Sequence, residues 1–200
     1  MSETKPRPGL WKRAAVVWAG VLAFLWLVLV LDWIVPANFV AWGIEPRSVE
    51  GLTGIATAPV LHADAAHLAA NSLPLFVLGL VSVLRSVPDF VFATVVVVLV
   101  SGIGVWLTAP PHTVTVGASG LIFGYFGYLL GRGVFLRSGV DIAVAVGVFV
   151  VYGSMIWGVL PSAGPVSWQG HLFGFAGGAL AAFLVSRREK RRPQDSPATA

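Results

Sequence analysis

Residues 90–107 contain no charged side chain, and residues 14–35 contain only Asp32. Uninterrupted apolar runs of this length constrain a chain more than any local propensity does. About 20 apolar residues cross the hydrocarbon of a bilayer as a helix. Four further apolar stretches, at 67–84, 119–130, 141–160 and 169–186, are separated by charged or Pro- and Gly-containing turns. The chain is 56% hydrophobic and 11% charged, against about 25% charged in soluble domains. The expected fold is therefore an all-α membrane protein, a bundle of six transmembrane helices.

The positions of the charges orient that bundle. Lys5, Arg7, Lys12 and Arg13 precede the first helix, Arg85, Arg132 and Arg137 lie in turns, and Arg187 to Arg192 follow the last helix. With six spans, every lysine and arginine except Arg47 falls on one side, which the positive-inside rule assigns to the cytoplasm together with both termini. The net charge of +4 is thus an orientation signal, and no basic face for nucleic acid emerges. The first run is too long for a signal-peptide core and no Ala-x-Ala site follows it, so it reads as an uncleaved helix. Residues 1–13 form a basic cytoplasmic segment, 14–186 the six-helix domain, and 187–200 a basic, disordered cytoplasmic tail. Residues 36–66, with Pro36, Pro46 and Pro59, are too polar to span and too aromatic for a plain linker, and are expected on the outer membrane surface.

Against this apolar background a few polar groups stand out: His67 and Asn71, Ser119 and His171. Polar side chains inside a membrane are expensive and default to a functional reading. The fourth stretch is short for a span, so Ser119, at its Gly-rich start, is expected below the surface rather than at its edge. Irregular backbone at that depth requires surrounding protein or a water-filled cavity. Hydrolysis by a serine needs a base, oxyanion donors and water. His171 is the candidate base. His67 and Asn71, one helical turn apart, share a face and both donate hydrogen bonds. Together with the Ser119 N–H at a helix N-terminus they would form an oxyanion hole. No acid is placed to complete a triad, so a Ser–His dyad is expected. Gly120 and Gly124 on the fourth helix, and Gly174 and Gly178 on the sixth, have the spacing that lets helices approach closely.

Other readings of these residues exist. A serine in a Gly-rich helix is also ordinary packing material, and His67 with Asn71 could simply tie two helices together. No cysteine is present, which removes disulfides, thiolate metal sites and a cysteine nucleophile. No His-Glu-x-x-His occurs, and His62 and His67 do not share a helical face, so no metal site is expected. Leu121 stands where a Gly-x-Ser-x-Gly elbow needs glycine.

The chain resembles the rhomboid family of intramembrane serine proteases. Gly117-Ala118-Ser119-Gly120 is similar to the family's nucleophile motif, and Gly170-His171-Leu172-Phe173-Gly174 to its general-base motif. The stretch from His62 through His67 to Asn71 resembles the one that opens the family's second core helix. Order, spacing and topology agree over residues 14–186. The resemblance implies a serine endopeptidase that cuts transmembrane segments of single- or multi-span membrane proteins within the bilayer, without a cofactor. Ser119 would be the nucleophile, His171 the base, and His67, Asn71 and Gly117 the oxyanion support. Phe123 would be the aromatic against the base. A multi-pass protein of a bacterial cytoplasmic membrane is implied, in the minimal form without a seventh span or soluble domain. One departure is visible: the family's Trp-Arg pair in the first outer loop is absent, since Trp42 is followed by Gly43. A non-catalytic relative that only binds membrane clients would lose or block these motifs. A transporter would show inverted repeats with broken helices, and neither pattern is seen.

Overall fold

The computed structural model describes residues 9–191, apart from 163 and 165. Lys5, Arg7, and the part of the expected tail beyond Arg191 lie outside the described residues. The helices are α1 (Leu10–Ile34), the single-turn α2 (Gly54–Thr57), α3 (Ala65–Arg85), α4 (Val87–Thr108), α5 (Ser119–Phe135), α6 (Gly139–Tyr152) and α7 (Trp168–Arg191). Five helical stretches are long and apolar enough to cross a membrane: α1, α3, α4, α7, and α6 together with the 3₁₀ segment Gly153–Val159. The remaining helix, α5, has 17 residues. Among the described residues β-pairing amounts to one isolated bridge, Ile44 with Thr115.

Helix starts follow from capping chemistry. Asp64 accepts from the His67 N–H at the start of α3, Ser86 from Asp89 at the start of α4, and Ser138 from Asp141 at the start of α6. Each satisfies an amide that the helix itself leaves orphaned. The two seryl caps are each followed three residues later by an aspartate, whose charge suits the positive end of the helix.

The core is apolar as in a soluble protein, and it is the surface that differs. Helix α5 lies in the centre, against α3, α4, α6 and α7, and Ile122 to Leu129 are all buried. A helix apolar on every side belongs in the interior. The exposed groups are also apolar: Val16, Val17, Phe24 and Leu27 on α1, and Val146, Phe149, Val150 and Val151 on α6.

Glycines set the central spacing, in a division of labour that periodicity alone does not predict. A Cβ on Gly174 would collide with the Gly120 carbonyl, and one on Gly178 with that of Gly124. On α5, however, Gly120 and Gly124 direct their missing side chains at α4, toward Ser101 and Val97. Gly127 turns its own toward the Phe175 carbonyl of α7. The α5 glycines therefore serve two neighbours at once.

Three expected boundaries move. Helix α5 continues past Leu130 to Phe135, because Arg132 is not a turn residue but a buried one, 4% exposed. Its Nε donates to Asp141 Oδ1 at 2.8 Å and its Nη1 to the Tyr128 hydroxyl at 3.0 Å. Arg85 Nε donates to the same Asp141 oxygen at 3.0 Å. Paired charges tolerate burial that a lone arginine would not, and this cluster ties the ends of α3, α5 and α6 together. The fifth apolar run changes from α-helix to 3₁₀ turns at Gly153. Finally, residues 187–191 are not disordered tail but the last turn of α7. Arg, Glu and Lys are good helix formers, and the Arg188 guanidinium lies 3.8 Å from the Phe92 ring centroid of α4.

Residues 36–66, expected on the outer membrane surface, form a folded cap that packs on the end of α4. The Trp106 indole donates to Ser48 O at 2.8 Å, and Arg47 Nη1 to Leu107 O at 3.1 Å. Gly54 presses against the backbone of Gly43, and Ile55 occupies the space that a side chain at Gly102 would need. The cap is thus held on the end of α4 without a Trp-Arg pair.

Candidate active site

The turn before α5 is built from backbone outward. Ile44 and Thr115 exchange two amide hydrogen bonds, at 2.9 and 3.0 Å, and Gly117 N donates to Ala58 O at 2.9 Å. Gly117 has φ +121°, a left-handed conformation that favours glycine. A Cβ there would also stand 2.7 Å from Cε1 and Nε2 of His67. Glycine is required twice at this position, for its torsion and for the approach of the imidazole.

His67 and Asn71 project from α3 toward the same turn. Asn71 is buried, its Nδ2 lies 3.7 Å from the Cβ position of Gly117, and that Nδ2 has no hydrogen-bond partner among the described residues. A buried carboxamide donor left unpaired is costly, which marks it as a donor held ready for another acceptor. Ser119 opens α5 immediately beyond, so its own N–H belongs to the first turn and points away from any helical partner.

His171 sits one helix over, on α7, 7% exposed. Its ring stacks on Phe123 of α5, centroids 4.0 Å apart and planes 8° from parallel. Nδ1 lies 3.0 Å from the Gly158 carbonyl oxygen. Ser101 of α4 donates to Gly170 O at 2.9 Å, and Ser167 accepts from Gly170 N at 3.2 Å, so the start of α7 is fixed from two sides. Ser119 and His171 are not hydrogen-bonded to one another. Hydrogen bonds of catalytic pairs commonly tighten only when substrate is bound.

Ser119 is half-buried and lines a cavity with Gly117, Ser101, Ser167, Gly170 and Ile55. Its water-accessible volume is about 40 Å³, more than the ~10–15 Å³ that one water needs. This water-sized space lies beside Ser119 against Ser101, Ser167 and Gly170, and its lining does not include His67, Asn71 or His171. Gly174 and Gly178, seated on the carbonyls of Gly120 and Gly124, bring the two helices that carry Ser119 and His171 together.

One residue at the site carries no role in the sequence reading. His62 is 3% exposed, and its Nε2 accepts from the Ala118 N–H at 3.3 Å, directly before Ser119. Burial, followed by the nearby His67, lowers its pKa to about 4, so it is neutral and able to accept. The signal was its place five residues before His67; its partner, 56 residues away, was not visible.

A profile of the Rhomboid domain matches residues 49–188. The chain belongs to the rhomboid family. That family is one of intramembrane serine proteases, and this rhomboid chain, with its apolar helices, is an integral membrane protein. The uncharacterised Mycobacterium tuberculosis protein Rv1337 is 38% identical over 198 residues, 95% of this chain and 82% of the relative. The uncharacterised Mycobacterium leprae protein ML1171 is 38% identical over 189 residues, 90% and 75% of the two chains. YdcA of Bacillus subtilis, whose name proposes a rhomboid protease, is 30% identical over 142 residues, 68% of each chain.

Proposed function

We propose that this rhomboid-family chain is an intramembrane serine endopeptidase that cuts transmembrane segments of other membrane proteins with a Ser119–His171 dyad. His171 Nε2 takes the Ser119 proton as Oγ attacks the scissile carbonyl, and returns it to the leaving amine. Water then releases the acyl-enzyme by the same route. The Ser119 N–H, Asn71 Nδ2 and His67 stabilise the oxyanion. No cofactor takes part. The chemistry runs in a six-span bundle with both termini on the cytoplasmic side of a bacterial cytoplasmic membrane, with residues 14–186 as the protease domain.

The observation that carries this reading is the crowding at Gly117. The missing side chain there admits the His67 ring and the unpaired Asn71 amide to the turn that leads into Ser119. A merely structural serine has no need of two donors aimed beside it. The test is covalent labelling of the purified protein by a fluorophosphonate, alongside cleavage of a transmembrane reporter. Wild type is expected to do both. Ser119→Ala should lose both, and His171→Ala should lose nearly as much, because nucleophile and base act as a unit. Substantial turnover by either variant in a folded protein would sink the dyad.

A further inference from the structure

A catalytic imidazole has two nitrogens, and in the neutral ring one donates while the other accepts. The dyad needs the lone pair on Nε2, so something must hold the proton on Nδ1. In a triad an acid does this. Here the Nδ1 partner is the Gly158 carbonyl, at 3.0 Å. A carbonyl oxygen only accepts, so this contact requires Nδ1–H and leaves Nε2 as the acceptor. Asp141, the one buried carboxylate among the described residues, is committed to Arg132, Arg85 and Ser138.

Two further observations show a fitted contact. The Phe123 ring holds the imidazole plane parallel to its own, within 8°. Gly158 meets both rings: a Cβ there would stand 2.7 Å from Phe123 Cζ and 3.4 Å from His171 Nδ1. Any side chain at 158 would push the carbonyl off the imidazole or break the stack. Gly158 belongs to the 3₁₀ segment Gly153–Val159, which has no buried residue, and Trp157 beside it is 71% exposed.

We propose that the Gly158 carbonyl is the positioning group for the base, in the place a triad gives to an acid, so that the Gly153–Val159 segment decides whether His171 holds its working tautomer. The inference rests on the dyad reading. During attack the Ser119 proton moves to Nε2 while a C–O bond forms, and Nδ1–H keeps its bond to Gly158. The Nε2 proton then leaves with the amine as the C–N bond breaks. Gly158 takes no proton at any stage. Displacement of the segment would remove the acceptor and free the ring to exchange tautomers. A base positioned this way is active only while the segment is seated.

The experiment replaces Val159 by its α-hydroxy acid. The Gly158–Val159 amide becomes an ester, every side chain stays, and the Gly158 carbonyl becomes a weaker acceptor. The same exchange at Leu160 controls for loss of an amide in this segment. Nitrogen-15 NMR of His171 in bicelles reads the tautomer, and reporter cleavage gives kcat and KM. Wild type should carry the proton on Nδ1. The Val159 ester should show mixed tautomers and about a tenfold lower kcat at unchanged KM, the worth of one ordinary hydrogen bond, while the Leu160 ester matches wild type. A wild-type proton on Nε2, or a Val159 ester with unchanged tautomer and kcat, overturns the proposal. A wild type with the Nδ1 proton whose Ser119 resists fluorophosphonate overturns the protease reading instead, so the two failures are distinguishable.

Discussion

Asn71 and His62 are both buried at the turn before Ser119, yet only His62 is bonded to that turn, through the Ala118 N–H. Asn71 Nδ2 is unpaired, so its loss should cost rate and not structure. Asn71→Ala is expected to lower kcat by about 10²–10³, since other oxyanion donors remain, with an unchanged melting temperature. Unfolding of that variant would make Asn71 structural. His62 Nε2 is already paired, to the Ala118 N–H, while its Nδ1 has no partner among the described residues. Its pKa, lowered to about 4 chiefly by burial and next by His67, sets a pH window. The unfolded chain takes up this proton below about 6.5, whereas the folded one resists until about 4. The stability His62 provides is complete above pH 6.5 and is lost as pH falls toward 4, by on the order of 3 kcal/mol. Denaturation scans at pH 7, 5.5 and 4 should show that slope, reduced in His62→Gln. An identical slope in the variant would assign the loss to other groups.

Between elements, the α5–α7 contact tolerates no bulk. Gly174 lies over the Gly120 carbonyl and Gly178 over that of Gly124, so the spacing is backbone against backbone, with no flexible side chain to yield. Gly174→Leu is expected to abolish reporter cleavage and to lower the melting temperature by several degrees, overpacking typically costing about 1–3 kcal/mol. Full activity in that variant would show that the helices separate without consequence for the site. Helix α6 is held differently. Asp141 secures one end of it through Arg132 and Arg85, while its opposite end gives way to the unburied 3₁₀ segment.

At the scale of the whole molecule, the proposed dyad, with Ser119 half-buried, constrains what a client would have to present. A helical segment hides its carbonyls in its own hydrogen bonds, so only a locally unwound stretch offers one to Ser119. Glycine is about 1 kcal/mol and proline about 3 kcal/mol worse than alanine inside a helix, and either eases unwinding. A reporter with Gly-Pro in the outer third of its span is therefore expected to be cut faster than one with poly-Leu there, near the outer end. Equal rates, or cuts mapped to the cytoplasmic half by mass spectrometry, would contradict this route of access.

The amino-acid sequence alone determined the helical class and the polar residues worth watching. Apolar runs in 90–107 and 14–35 leave no soluble alternative, and Asp64, Ser86 and Ser138 announce helix starts through local hydrogen bonds. Ser119, His67, Asn71 and His171 stand out because an apolar segment makes every polar side chain conspicuous. What the tertiary structure decided are contacts between residues distant along the chain. The burial of Arg132 depended on Asp141 turning back onto α5. The seating of residues 36–66 depended on Trp106 and Arg47 rather than on a motif. The partners of His62 and His171 are the backbone atoms Ala118 N and Gly158 O. Every residue carries such backbone atoms, so no side-chain pattern could mark these two, and only folding brought them to the imidazoles.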